Sequence, residues 1–291
     1  MRKIIGRCAV VAAMAIAVTG CQDTAGGKAT RENVRPSGAA SASASPSGAL
    51  RAVQAAWTAT KKADSARVRL TMTTNGMLGT GRMEMHGVQG WADVPTLDVT
   101  MRTSGSLKAK STTMDLPDEQ RIIMVGTRQY FDLGPELAKK MSGKRWVLLP
   151  AKQASGQAGV SGLGNDPAVQ LAVLLQSKNV KHLGRETVDG TATEHYKGMV
   201  SMEEMAAVSP KAAAMSPEER KRLLEAARAA RIEGYDTDVW LNASGYPVRM
   251  KVLIATPVGA LTLDAHYSDF GKPAPVTEPM PGEVFDPTAQ G

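Results

Sequence analysis

From Arg67 onward the chain alternates apolar and polar residues in run after run, and turn residues close each run. Val68, Leu70 and Met72 interleave with Arg67, Arg69, Thr71 and Thr73; Met83 and Met85 with Arg82, Glu84 and His86; Leu97, Val99 and Met101 with Asp98, Thr100 and Arg102. A period of two places the apolar set on one face of a strand and the polar set on the other, which predicts half-buried strands with one wet face. Asn75-Gly76, Gly79-Thr80-Gly81, Asp93-Val94-Pro95 and Ser104-Gly105 separate the runs, and these are residues that build turns. The consequence is a meander of antiparallel hairpins.

The same pattern predicts strands from Leu107 to Met114, Arg121 to Val125, Gln129 to Leu133 and Trp146 to Leu149, the last stopped by Pro150. Residues 151–165, rich in Gly, Ala and Ser, read as a long loop of a kind usually tied to function or mobility. Strands resume at Lys181 to Val188 and Thr191 to Val200, joined by Asp189-Gly190, a two-residue hairpin signal. Tyr235 to Leu241, Val248 to Ile254 and Leu261 to Phe270 complete the set, and the Pro-rich tail from Gly271 suits only an edge or a strap.

Helical stretches interrupt the strands. One starts near Ser47 and carries Leu50, Val53 and Trp57 at spacings of three and four. Asp166-Pro167 opens another that runs to about Gln176, with Asp166 as N-cap and Pro at the first position. Its Val169, Leu171 and Leu174 sit on a circumference that is mostly apolar, so it is expected to be covered. Beyond Val200, Ser201 with Glu204 and Ser216 with Glu219 have the spacing of capping boxes. The second of these helices sets Leu223 and Leu224 against Arg220, Lys221 and Arg222.

At the N-terminus, Arg2, Lys3 and Arg7 precede an uncharged run from Cys8 to Thr19. A positive start followed by an apolar run too short to span a bilayer is a secretory signal. Val18-Thr19-Gly20-Cys21 resembles the bacterial lipobox, which implies that Cys21 receives a diacylglycerol and becomes the first residue after cleavage. The expected layout is a signal peptide over residues 1–20, the lipidated cysteine and a flexible tether over 21–46, a single domain over 47–280 and a tail over 281–291. Small polar residues such as those of the tether bury too little apolar area to offset ordering. Cys8 leaves with the signal and Cys21 becomes a thioether, so no disulfide framework is expected. The formal charge of +7 loses three cations with the signal. The remaining mild basic excess suits an anionic membrane surface and is too small to indicate nucleic-acid binding.

The chain carries no Gly-x-Ser-x-Gly, Ser-x-x-Lys or His-Glu-x-x-His motif, no phosphate-cradling glycine loop and no paired-cysteine metal spacing. No catalytic residue, metal ligand or cofactor is therefore expected. His86, His182, His195 and His266 lie far apart in sequence and read as satisfied or surface histidines; a cluster of them with carboxylates in a cleft is what would revive an enzymatic reading. Glu203/Glu204 and Glu218/Glu219 fit helix starts, and Asp236/Asp238 bracket one residue at a strand entrance. With aromatic residues at only 4% and Met at 16, the interior must be built from Val, Leu, Met and Ala. Thioethers in that register are either ordinary core filling or the lining of a surface that accepts variable apolar partners.

Three stretches carry a family resemblance: Val188-Asp189-Gly190-Thr191 through His195-Tyr196, Asp238-Val239-Trp240-Leu241-Asn242 through Val248-Arg249, and His266-Tyr267-Ser268-Asp269-Phe270 through Pro273. They look like the actinobacterial LppX/LprG-type lipoproteins, which are similar in turn to the LolA/LolB lipoprotein carriers. The resemblance implies an α+β fold: a strongly curved antiparallel sheet, an open half-barrel of about ten to eleven strands, with helices over its concave face. It also implies a membrane-anchored extracytoplasmic protein that binds or carries a lipid or lipoprotein acyl chain. On that reading Val68, Leu70, Met72, Met83, Met85, Leu97, Val99, Met101, Val248, Met250 and Val252 line the cavity, and Val169, Leu171, Leu174, Leu223 and Leu224 form the lid. Its partners are the membrane, through the diacylglycerol on Cys21, and the acylated ligand; no nucleic acid is expected, and an envelope protein partner is left open. The alternative is a non-catalytic envelope scaffold or stress-sensing interaction module whose sheet is filled by its own helices.

Overall fold

The computed structural model describes residues 46–76, 79–107, 118–149, 166–208, 215–272 and 275–287. The signal, Cys21, the tether up to residue 45, most of the strand expected from Leu107 to Met114, Pro150 and the loop at 151–165 lie outside the described residues, and Pro46, expected to end the tether, opens the first helix. All described residues belong to the unit Ser41–Gly291.

Helix α1 (Pro46–Ala63) leads directly into β1 (Ser65–Gly76), β2 (Gly81–Gly90), β3 (Thr96–Gly105), β4 (Glu119–Val125) and β5 (Arg128–Asp132). A short helix α2 (Gly134–Lys140) and β6 (Trp146–Leu149) follow, then α3 (Pro167–Leu174), β7 (Lys181–Val188) and β8 (Thr191–Ser201). Helices α4 (Met202–Val208) and α5 (Pro217–Ala229) precede β9 (Gly234–Asn242), β10 (Pro247–Thr256) and β11 (Gly259–Ser268), and a 3-10 turn at Pro281–Glu283 precedes β12 (Val284–Phe285).

The strands form one twelve-stranded, curved and unclosed sheet in the order β12-β6-β5-β4-β3-β2-β1-β11-β10-β9-β8-β7. Its pairings are antiparallel except for β12, which runs parallel to β6. The strand beyond the expected number comes from the tail: as a two-residue edge it closes little of β6, which suits a segment whose prolines cannot donate to a ladder. At Asp189-Gly190 both residues have positive φ, 48° and 76°, the backbone of a type I′ hairpin, and glycine removes the steric cost at the second position.

Local chemistry sets the helix starts. Asp166 accepts hydrogen bonds from the backbone N–H groups of Ala168 and Val169, at 2.7 and 3.3 Å, and Pro167 follows it. Both expected capping boxes form: Ser201 with Glu204 and Ser216 with Glu219 exchange reciprocal bonds of 2.8 to 3.2 Å. Helix α2 was not foreseen; its sequence signals are Pro135 at the first turn, Glu136 beside the N-terminus and Lys139-Lys140 at the end. Among the described residues no helix is long and apolar enough to cross a membrane.

Candidate functional site

Register turns the strand alternation into transverse rows on the two sheet faces. One row on the concave face runs Met101, Met85, Leu70, Ala265, Met250, Val239 and Tyr196 across seven strands. The next runs Met83, Met72, Leu263 and Val252, and ends over Thr237 and Gly198. Helices α1, α3, α4 and α5 cover this face: Ala49, Val53 and Ala56, Leu171 and Leu174, Met202, and Ala227 join the strand residues in one buried apolar cluster.

Ten of the eleven expected lining residues belong to that cluster or pack on it, with Met101 only half-buried. Val248 does not. A bulge between Pro247 and Arg249 shifts the register against β9, and Val248 packs instead with Val188 and Trp240 in a separate cluster. Two residues opposing one on the partner strand break the alternation, so counting by twos from Val252 misplaces it.

The expected lid divides in the same way. Leu171 and Leu174 are 0% exposed, whereas Val169, Leu223 and Leu224 are half-buried. Helix α3 presses on β8 at Gly198, where a Cβ would stand 2.8 Å from the Leu174 side chain and 3.0 Å from Ser177 Oγ. Helix α5 is held more lightly: Ala227 is its one buried residue, and Arg228 reaches Glu203 of α4 at 2.9 Å. A groove of about 400 Å³ runs along α5, bordered by Met215, Pro217, Arg220, Leu224 and Arg228 among others.

The centre of the concave face is tightly filled. Val53 and Val68 are 0% exposed, so no water-sized void touches them, and Val99 and Met250 are 1% and 2% exposed. Polar side chains share this interior, Thr237 in the second row and, at one end, Gln89 and Thr60. Gln89 lies in the inward row between Ala66 and Leu97 and is 2% exposed, and Thr60 of α1 is 0% exposed. The Gln89 side-chain nitrogen and oxygen and the Thr60 hydroxyl have no hydrogen-bond partner.

The convex face carries His86, His195 and His266, whereas His182 pairs with Tyr196 of the concave row, their rings 5.0 Å apart. Across β1, β11, β10, β9 and β8 the row reads Arg69, His266, Arg249, Trp240 and His195. His195 stacks on Trp240 with centroids 4.2 Å apart, and the Arg249 guanidinium lies 4.7 Å from the centroid of the same indole. Nδ1 of His195 is 2.7 Å from Glu186 and Nε2 is 2.8 Å from Asp238, while Trp240 Nε1 donates to the other Glu186 oxygen at 2.7 Å. A ring that meets a carboxylate at each nitrogen donates both bonds only as the imidazolium. Burial presses the His195 pKa down, but the bonds to Asp238 and Glu186 outweigh it and the net direction is up. Burial likewise presses Asp238 up, and His195 and Lys197 bring it below the usual carboxylate range. Asp189 links Arg69 and His266 at 2.7 and 2.8 Å, and Arg249 holds Asp264 through two bonds.

His195 and His266 therefore do meet carboxylates on the convex sheet surface, with both His195 nitrogens already committed. Among the described residues no group of three or more His, Cys, Asp or Glu side chains is placed to hold a metal ion. The outward alternation of His195 with Lys197 and of Asp236 with Asp238 and Trp240 was legible; which of them are neighbours required the register.

No protein-family model matches the chain. It is 25% identical over 251 residues, 84% of this chain and 79% of the relative, to an uncharacterized 31.2 kDa protein encoded between rplA and rplJ in Streptomyces griseus. It is also 25% identical over 98% of its length, and 94% of the relative, to a protein of Streptomyces coelicolor described as a candidate lipoprotein. Among solved structures it is similar to the Mycobacterium tuberculosis lipoprotein LppX, with 15% identity, a TM-score of 0.46, and coverage of 80% of this chain and 100% of that one.

Proposed function

We propose that the protein is a lipid-anchored extracytoplasmic lipoprotein that binds an acyl chain of a lipid or lipoprotein between its concave sheet face and its covering helices, without catalysis. In this reading residues 1–20 are removed, Cys21 carries the diacylglycerol, residues 21–45 are the tether and 46–280 act as a single binding domain. The Streptomyces coelicolor relative, described as a candidate lipoprotein and similar over nearly the whole chain, supports the anchor.

The observation that carries the binding reading is the continuous apolar face, with Met72, Met83, Met85 and Met101 in adjoining positions and Met250 two strands beyond β1, under a cover that includes the lightly held α5. Flexible thioethers repack around chains of differing shape, and each buried methylene contributes about 0.8 kcal/mol. An acyl chain enters as α5 lifts, and the methionines rearrange to admit it. Solvent extraction and mass spectrometry of the mature protein purified from envelopes tests this. A stoichiometric lipid, diminished by Met101→Glu, is expected; an empty protein that also refuses added lipid sinks the reading.

The near-zero exposure of Val53, Val68 and Val99 favours a second reading, a scaffold module filled by its own helices. That protein yields no lipid and binds no hydrophobic dye before or after lipid addition.

A further inference from the structure

Gln89 is the one long polar side chain in the inward rows of β1, β2 and β3, where it pairs with Ala66 and Leu97 and the next inward row holds Val68, Gly87 and Val99. It is 2% exposed, and neither its carbonyl oxygen nor its amide nitrogen finds a partner. Thr60, at 0% exposure, leaves its hydroxyl unbonded as well, although Thr58 two residues earlier bonds back to the Gln54 carbonyl at 3.1 Å. Both groups lie at one end of the face. Trp91, two residues past Gln89, donates its indole N–H to the Thr60 carbonyl at 3.0 Å and its backbone N–H to the Asp64 carbonyl at 2.8 Å, which pins the last turn of α1 to the end of β2. Buried polar groups are nearly always bonded, and each one left open opposes the packed state.

Resting on the acyl-binding reading above, we propose that Gln89, with Thr60, is the hydrogen-bonding anchor for the neutral polar group of an otherwise apolar ligand, a hydroxyl or an ester carbonyl. An amide offers both a donor and an acceptor, and a hydroxyl adds one of each, so the pair matches a group that needs both. The group must be neutral. Among the described residues the buried polar and charged ones are Thr60, Gln89, Asp132, Ser177, Thr193, His195 and Thr237; Asp132 pairs with Arg145 and His195 lies on the convex face. No lysine or arginine is among them to compensate a buried carboxylate. The ligand-free protein thus carries open polar groups that the ligand satisfies, and the site favours the occupied state.

Gln89→Met tests this, because methionine nearly conserves the volume and suits the apolar row of Ala66 and Leu97. Hexadecanol and hexadecane, delivered to the mature full-length protein from cyclodextrin, are the probes, read by thermal denaturation and by titration. The ligand-free variant is expected to melt about 2–4 °C higher than the parent, since an apolar group replaces an unsatisfied one. Its affinity for hexadecanol is expected to fall about tenfold, the loss of one to two hydrogen bonds, with hexadecane unchanged. Thr60→Val repeats the test on α1 with the same signs. A variant that melts lower, or one that keeps the parent's affinity for hexadecanol, overturns the anchor while acyl binding stands. A parent that binds neither probe overturns both together.

Discussion

His195→Ala removes the group that ties β7, β8 and β9 together on the convex face. The side chains of His195 and Asp238 are 10% and 15% exposed, so their charge-assisted bond contributes about 1.5–3 kcal/mol. Glu186 is 49% exposed, and solvent limits its bond to about 1 kcal/mol or less. Stacking on Trp240 adds about 0.5–1.5 kcal/mol. The variant is expected to be about 3–4 kcal/mol less stable by guanidinium unfolding in mildly acidic buffer. The sign of the pH dependence follows from the raised His195 pKa. The contribution of the charged ring is fully present below the unfolded value of 6.5 and is lost as pH rises through the folded one. The neutral ring keeps a single N–H and can serve only one carboxylate. The gap between parent and variant must therefore narrow as the buffer is made alkaline. A gap that is the same at both pH values would refute the imidazolium as the tie and leave only packing.

Other expectations concern the helices and the filled face. Asp166 caps α3 but is desolvated, which raises its pKa against the bonds from Val169 and Ala168. Asp166→Ala should cost about 1 kcal/mol, whereas Asp166→Asn, which keeps the cap without burying charge, should equal or exceed the parent near neutral pH in chemical denaturation. Gly198→Val sets new atoms inside 3.0 Å of the α3 contact and should cost about 1–3 kcal/mol, with more hydrophobic-dye fluorescence as α3 lifts; an unchanged dye signal would deny that α3 seals the sheet there. Met83→Arg, at a position 9% exposed, should cost about 3 kcal/mol or more and reduce any lipid recovered by solvent extraction.

Much of the fold was legible along the chain. Strand alternation, the Asp189-Gly190 turn, the Asp166 cap and both Ser/Glu boxes are local features, and their physics acts within a few residues whatever the rest of the chain does. The apolar face followed from the same alternation, because one period sorts side chains by side. Three things were not legible. Val248 leaves the face because a bulge spends one residue without advancing the register, a decision that depends on the partner strand. Gln89 lies past the run that alternation marks at Met83 and Met85, and only packing shows that it faces inward with nothing nearby to satisfy it. The His195, Trp240 and Arg249 stack draws on three strands joined by pairing. The sequence by itself thus determined which side of each strand is apolar and where helices begin, since those depend on neighbours in the chain. Only the tertiary structure decided which polar groups are paired, since a hydrogen bond or an ion pair depends on angstrom-scale distances between residues far apart in sequence.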